Sequence, residues 1–141
     1  MENIQNIRVL YSDTDAYGVI WHGAYVKWFE AARVEFIEKL GFDIEFFETS
    51  NIAFPVVDMD IRYKSSGFLY EYVEIKTTIK ELKPMYISFE HKVYEKKSQA
   101  LRVIGHTSIV PLDTKTGRML RKMPVELYSK LQDVLNQNCV R

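Results

Sequence analysis

The amino-acid sequence predicts an α+β fold in which one antiparallel sheet covers a long apolar helix. Three observations carry this: apolar residues at helical spacing between Val26 and Leu40, strict apolar and polar alternation at Val73–Lys80 and Met85–Tyr94, and the order strand, long helix, four strands, short helix. Ile7, Val9 and Tyr11 alternate with Arg8 and Leu10 and predict a first strand leading into the segment that follows. Val26, Phe29, Ala32, Phe36, Ile37 and Leu40 make the buried stripe of the long helix, and Gly41 suits its C-terminal cap, with Phe42 packing back on Ile37. Phe54–Tyr63 and Leu101–Leu112 supply two further strands, bounded by the turn-rich stretches Lys64–Gly67 and Lys96–Gln99. Pro124 opens a closing helix with Leu127, Tyr128, Leu131, Val134 and Leu135 on one face.

Composition narrows the class. The 141 residues suit one domain spanning 1–141, and a 47% hydrophobic, 13% aromatic chain is not disordered. Nineteen basic and 19 acidic residues cancel, so no broad nucleic-acid-binding face is expected. Cys139, the single cysteine, cannot form an internal disulfide. With no signal peptide or long apolar span, the expectation is a soluble, cytoplasmic protein without a transmembrane segment.

The stretch Tyr11–Tyr25, YSDTDAYGVIWHGAY, carries the chemistry. Asp13 and Asp15 are two apart and share a face if the first strand runs on to them. Gly18 permits a tight turn, and His22 stands at the start of the helix. No Ser, Thr, Asp or Asn caps that start, which leaves backbone N–H groups near His22, Gly23 and Ala24 free for a substrate oxygen at the positive end of the helix dipole. An uncapped helix end beside a carboxylate points to acyl chemistry.

In order and spacing, Asp13-Thr14-Asp15, Gly18, Trp21-His22, Tyr25, Phe29-Glu30 and Arg33 resemble the 4-hydroxybenzoyl-CoA thioesterase family, in its broad bacterial acyl-CoA thioesterase branch. The resemblance implies the hotdog fold, a sheet wrapped around one long helix. It also implies a homodimer or homotetramer with active sites at the subunit interface, which agrees with the need to cover exposed sheet edges. The implied activity is hydrolysis of acyl-CoA, with CoA a part of the substrate and no separate cofactor or metal. An acyl-carrier-protein thioesterase and a non-catalytic acyl-CoA or acyl-carrier binding module are the alternatives.

Under this resemblance Asp15 is the catalytic carboxylate, as nucleophile on the thioester carbonyl or as base on a water, while Asp13 accepts turn hydrogen bonds. The plain alternative for Asp15 is the same turn-capping role. His22 is expected to orient water, hold Asp15 or meet the carbonyl; otherwise it is a helix-start residue. Tyr17, Gly18, Trp21, Gly23 and Tyr25 are the expected substrate-binding residues, and the aromatic group Tyr17, Trp21, Tyr25 and Trp28 leaves room for a short or flat acyl chain. The family's nucleotide-contacting positions map onto Lys83, Arg121 and Lys122, although Ser65-Ser66 stands where Arg-Pro is commoner. His91 is expected to be a satisfied core histidine, and His106 has no informative neighbours in sequence. Motifs for a serine hydrolase elbow, a P-loop or a zinc site are missing from the chain.

Overall fold

A computed structural model describes residues 1–139, the last two by backbone alone, so the Cys139 side chain lies outside the described residues. Five strands form one antiparallel sheet in the order β1-β4-β5-β6-β3, where β1 is Asn3–Arg8, β3 Val56–Tyr63, β4 Tyr72–Lys83, β5 Tyr86–Glu95 and β6 Leu101–Ile109. Helix α1, His22–Lys39, lies against one face of this sheet, and α3, Val125–Cys139, covers the end of the same face.

The inward rows of β4 and β5 are apolar by alternation, as Ile75 pairs with Val93 and Ile79 with Phe89. Between them Thr77 pairs with His91, and His91 pairs on its other side with Gly105. Gly105 is required there: a Cβ would come within 2.3 Å of the Phe29 ring, which is stacked on His91 at 4.6 Å and 8°. The absence of a side chain thus lets α1 settle onto the sheet centre. His91 is fully buried and bonded to Thr77 Oγ1 at 2.9 Å and Thr107 Oγ1 at 3.1 Å. Burial, with the Arg33 and His106 charges, pulls its pKa down to about 3, so it is a neutral core residue.

Some local expectations need correction. The buried stripe of α1 runs through Ala24, Tyr25, Trp28, Phe29, Ala32, Phe36 and Ile37, and Val26 is exposed. Val26 lies about 100° round the helix from Tyr25, at the flank of the stripe, and α1 docks with Tyr25, Trp28 and Phe29 toward the sheet. The C-terminus of α1 is as read: Gly41 N–H donates to Glu38 O at 2.9 Å and Phe42 N–H to Ile37 O at 3.4 Å, a Schellman pattern with Gly41 at φ +99°. A further short helix, α2 at Ile44–Ser50, follows, with the Asp43 side chain accepting the Phe46 N–H at 3.0 Å. Two-residue strands β2, Ile52–Ala53, and β7, Leu112–Asp113, pair with each other beside it.

The two ends of the core differ in content. Val9, Ile20, Tyr25, Trp28, Val73, Val93 and Val103 pack around the first half of α1, whereas Phe36, Ile79, Ile87, Ile109 and the α3 leucines Leu127 and Leu131 pack around the second half. The start of α1 therefore lies at the Tyr72 end of β4.

Candidate active site

The segment 9–21 folds as consecutive turns, so Asp13 and Asp15 do not share a strand face. β1 ends at Arg8, Tyr11–Asp13 forms a 3-10 turn, and Thr14 pairs with Ile20 across a tight loop. The cause is local: Asp13 Oδ2 accepts the Leu10 N–H at 2.9 Å and closes the turn that breaks the strand. Asp15 Oδ1 accepts the N–H groups of Tyr17 at 2.8 Å and Val19 at 3.4 Å. Gly18, at φ +76°, lets the chain double back so that its N–H reaches Asp15 O at 3.0 Å. One carboxylate oxygen of Asp15 is thus committed to the turn. The other has no hydrogen-bond partner among the described residues, and the side chain is exposed.

Trp21 precedes α1 as an N-cap residue without a side-chain cap bond. Its own N–H donates to Asp13 O at 3.1 Å, which ties the helix start to the aspartate turn. Ala24 N–H donates to Trp21 O at 3.1 Å, while the N–H groups of His22 and Gly23 meet no acceptor among the described residues. The indole of Trp21 lies over Gly23, where a Cβ would come within 2.2 Å of it, and its Nε1–H donates to Ser12 O at 3.2 Å. Its ring meets the His22 imidazole edge-on at 5.3 Å. His22 is exposed and makes no hydrogen bond to Asp15 among the described residues.

The four aromatic residues expected around the site are not brought to one wall. Tyr17 is 90% exposed, Trp21 covers the helix end, and Tyr25 and Trp28 are core residues in edge contact at 5.4 Å. Tyr25 nevertheless borders a cavity of about 280 Å³ together with Val19, Ile20, Tyr63, Ser66 and Gly67. Burial, its largest influence, raises the Tyr25 pKa well above the ordinary tyrosine range, so the hydroxyl stays protonated. A larger cavity of about 730 Å³ opens between α1, α2 and β2, lined by Arg33, Val34, Ile37, Phe42, Phe47 and Phe54. Arg33 Nη1 is buried there without a partner among the described residues, and burial lowers the guanidinium pKa against the opposing charge of Glu30.

Lys83, Arg121 and Lys122 are all exposed, and Met123 N–H donates to Pro84 O at 2.8 Å, which draws the 121–123 segment against the turn after Lys83. The three cations thus gather at one end of the sheet. That end is the wrong one for the aspartate loop of the same chain: β4 runs from Tyr72, beside the loop, to Lys83, a span of roughly 35 Å at strand rise.

Two arrangements were invisible in sequence. The loop at 65–71 forms a platform under the aspartate turn, for Ile20 N–H donates to Gly67 O at 2.9 Å and Leu69 N–H to Gly18 O at 3.1 Å. His106, which has no informative sequence neighbours, lies on the outer sheet face between Asp60 Oδ1 at 2.9 Å and Glu90 Oε2 at 3.0 Å. Burial lowers its pKa, but the two carboxylate hydrogen bonds and charges outweigh it and the net shift is upward. Among the described residues no cluster of three or more His, Cys, Asp or Glu side chains is arranged to hold a metal, and no helix is long and apolar enough to cross a membrane.

A sheet wrapped on one long helix, with an uncapped helix start tied through the Trp21–Asp13 bond to an aspartate turn, defines the class of hotdog acyl-thioester hydrolases. The chain belongs to the thioesterase-like superfamily, whose family model matches residues 9–135. It is similar to a putative esterase of Synechocystis, 29% identical over 118 residues that make 84% of this chain and 71% of that one. Acyl-CoA thioester hydrolase YbgC of Escherichia coli is 30% identical over 95 residues, 67% of this chain and 71% of that protein. The crystal structure of a DHNA-CoA thioesterase from Staphylococcus aureus is 32% identical, with a TM-score of 0.86, and covers 97% of this chain and 95% of its own.

Proposed function

We propose that the protein hydrolyses acyl-CoA thioesters to the free acid and CoA, with Asp15 as the catalytic carboxylate. What supports this reading is that the Asp13–Trp21 backbone bond joins the Asp15 turn, where one carboxylate oxygen has no partner among the described residues, to a helix start whose His22 and Gly23 N–H groups likewise meet no acceptor there. The thioester oxygen sits at the helix start, where the N–H groups and the helix dipole stabilise the charge of the tetrahedral intermediate. Asp15 either takes a proton from the attacking water or adds to the carbonyl itself to give an anhydride that water then opens. In both routes the C–S bond breaks with its electron pair on sulfur, and a thiol pKa of about 8.5 makes the thiolate a competent leaving group. His22, beside the same N–H groups, orients the water.

The site is completed by a second copy of the chain. β3 is a sheet edge whose outer side has no partner strand among the described residues, Val57 and Tyr63 on it are exposed, and Tyr63 borders the cavity next to the aspartate loop. A dimer formed along that edge accounts for the distance between the loop and the cations Lys83, Arg121 and Lys122, which then serve the nucleotide bound at the partner's loop. The 280 Å³ cavity bounded by Tyr25 and Tyr63 suits a short or aromatic acyl group, since it lies at the small end of ligand pockets, about 300 Å³.

The test is thiol release from acetyl-, butyryl-, octanoyl-, palmitoyl- and benzoyl-CoA, run beside the corresponding acyl-carrier-protein esters, with wild type and Asp15→Asn. Asparagine keeps the carbonyl that accepts the Tyr17 N–H, so the turn survives while the carboxylate is lost. Wild-type turnover of butyryl- or benzoyl-CoA that Asp15→Asn lacks is expected. Equal turnover by the variant sinks the assignment, a steady rise to palmitoyl-CoA sinks the short pocket, and activity confined to carrier-protein esters moves the function to that substrate.

A further inference from the structure

We infer that Arg102 and Glu71, an ion pair outside the aspartate loop, are positioning residues that set the place of Asp15 through the 65–71 platform. The inference rests on the hydrolase reading above. Arg102 projects from β6 with its side chain only 13% exposed, and it reaches two points of the platform at once: Nη2 donates to Glu71 Oε2 at 2.6 Å and Nη1 to Ser65 Oγ at 3.1 Å. Glu71 then uses its second oxygen to accept the Phe68 N–H at 2.6 Å. Phe68 is paired with Val19, and Val19 donates to the Asp15 carboxylate. The two hydrogen bonds of that bridge are made by the flanking residues, Ile20 N–H to Gly67 O and Leu69 N–H to Gly18 O, so the ion pair on β6 is linked to the catalytic carboxylate through the backbone of the platform.

Three further observations show that the platform needs such a brace. Tyr70 adopts φ +67°, a left-handed conformation that a non-glycine residue holds only when its surroundings impose it. Gly67 lies so close to the motif that a Cβ would come within 2.3 Å of Ile20 Cδ1 and 3.1 Å of the Tyr25 hydroxyl. Small shifts of the platform are thus transmitted to Ile20 and to α1. Arg102 Nε is also buried without a partner among the described residues, so the guanidinium is kept in place although its donors are not all satisfied. A lysine cannot reproduce the fork, because one ammonium would have to serve both Ser65 and Glu71.

The test compares wild type, Arg102→Lys and the charge-free double variant Arg102→Met with Glu71→Leu in the full chain. Turnover is read with benzoyl-CoA, or with butyryl-CoA if that ester is the better substrate, and amide hydrogen exchange is read at Ile20 and Leu69. In both variants kcat is expected to fall about 10- to 100-fold with KM within twofold, as for a catalytic group displaced by about 1 Å. The exchange protection of Ile20 and Leu69 falls while the β4–β5 core amides keep theirs. The double variant retains a wild-type melting temperature without recovering kcat, which separates positioning from stability. Unchanged kcat in folded Arg102→Lys and in the double variant, beside an active wild type and a dead Asp15→Asn, overturns this inference alone. An inactive wild type overturns the hydrolase reading, and unchanged exchange at Ile20 and Leu69 then overturns the brace as well.

Discussion

Gly23→Ala separates catalysis from stability at the start of α1. The added methyl would lie 2.2, 2.4 and 2.7 Å from three carbons of the Trp21 indole, whereas carbon atoms in contact stay about 3.5 Å apart or more. The indole must therefore retreat by roughly 1.3 Å, and its Nε1–H loses Ser12 O. Replacing glycine by alanine inside a helix gains up to about 1 kcal/mol, and one lost hydrogen bond costs about the same, so the melting temperature is expected to stay near that of wild type. The rate is different. Displacing the indole beside the two N–H groups proposed for the thioester oxygen is expected to disturb that site, and loss of one such donor costs about 10²-fold, or about 2.7 kcal/mol of barrier. The assay is kcat/KM for butyryl- and benzoyl-CoA beside a thermal melt, repeated in the Trp21→Ala background. There the clash is gone, so Gly23→Ala should have no further effect. A folded Gly23→Ala enzyme within twofold of wild type refutes the placement of the carbonyl at this helix end.

Acid should destabilise the protein through His91: its folded pKa of about 3 lies below the ordinary 6.5, so the unfolded chain binds a proton first and stability falls as pH drops below 6.5. Between pH 7.5 and 5 this amounts to about 2 kcal/mol, so urea unfolding should show a smaller acid loss for His91→Gln than for wild type, and equal losses would contradict the burial argument. His106 acts with the opposite sign, since its raised pKa adds stability that is complete below 6.5 and disappears as pH rises through the folded value; His106→Gln should therefore steepen the acid loss in the same unfolding series. Asp13→Ala removes the acceptor of the Leu10 N–H and should cost about 1 kcal/mol in unfolding, whereas a full loss of activity with no change in stability would give Asp13 a chemical role. Light scattering should report a dimer at micromolar concentration, and a fully active monomer would contradict the shared site.

What the sequence made legible follows from which forces act locally. The β4 and β5 alternation, the Schellman end of α1 and the core role of His91 depend on neighbours two to six positions away or on one face of a strand, and periodicity reports those. β1 escaped at its start because its inward row opens with Asn3 and Gln5, polar residues that an apolar pattern cannot reveal; Asn3 is held by Lys39 from α1 instead. The stripe of α1 was misassigned at Val26 because that residue flanks the stripe, and which flank is covered depends on how Tyr25, Trp28 and Phe29 dock on strands far away in the chain. Strands β2 and β7, two residues each, are too short for any period, but the Asp43 cap of α2 was a readable signal.

The site divides along the same line. The turn at Asp15 and Gly18 and the helix start at His22 and Gly23 were visible because these are themselves local structures. The supports of that turn were not. Arg102 is 31 positions from Glu71 and 37 from Ser65, and Asp60 is 46 from His106, so only the sheet register brings these charges together. A close approach such as Trp21 over Gly23 is a further kind of information: the spacing of two residues is plain in the sequence, but the missing Cβ acquires a purpose only when the indole's direction is known. The same reasoning applies to the cations. Lys83, Arg121 and Lys122 were identified one by one from resemblance, and the fold gathers them, yet at the end of the sheet away from Asp15. On the proposed reading a single chain therefore offers a carbonyl site without phosphate partners and a cationic cluster without a carbonyl site. In the proposed dimer, two copies joined along the open β3 edge would remove both deficits at once, and the length of β4 is the reason that one copy cannot.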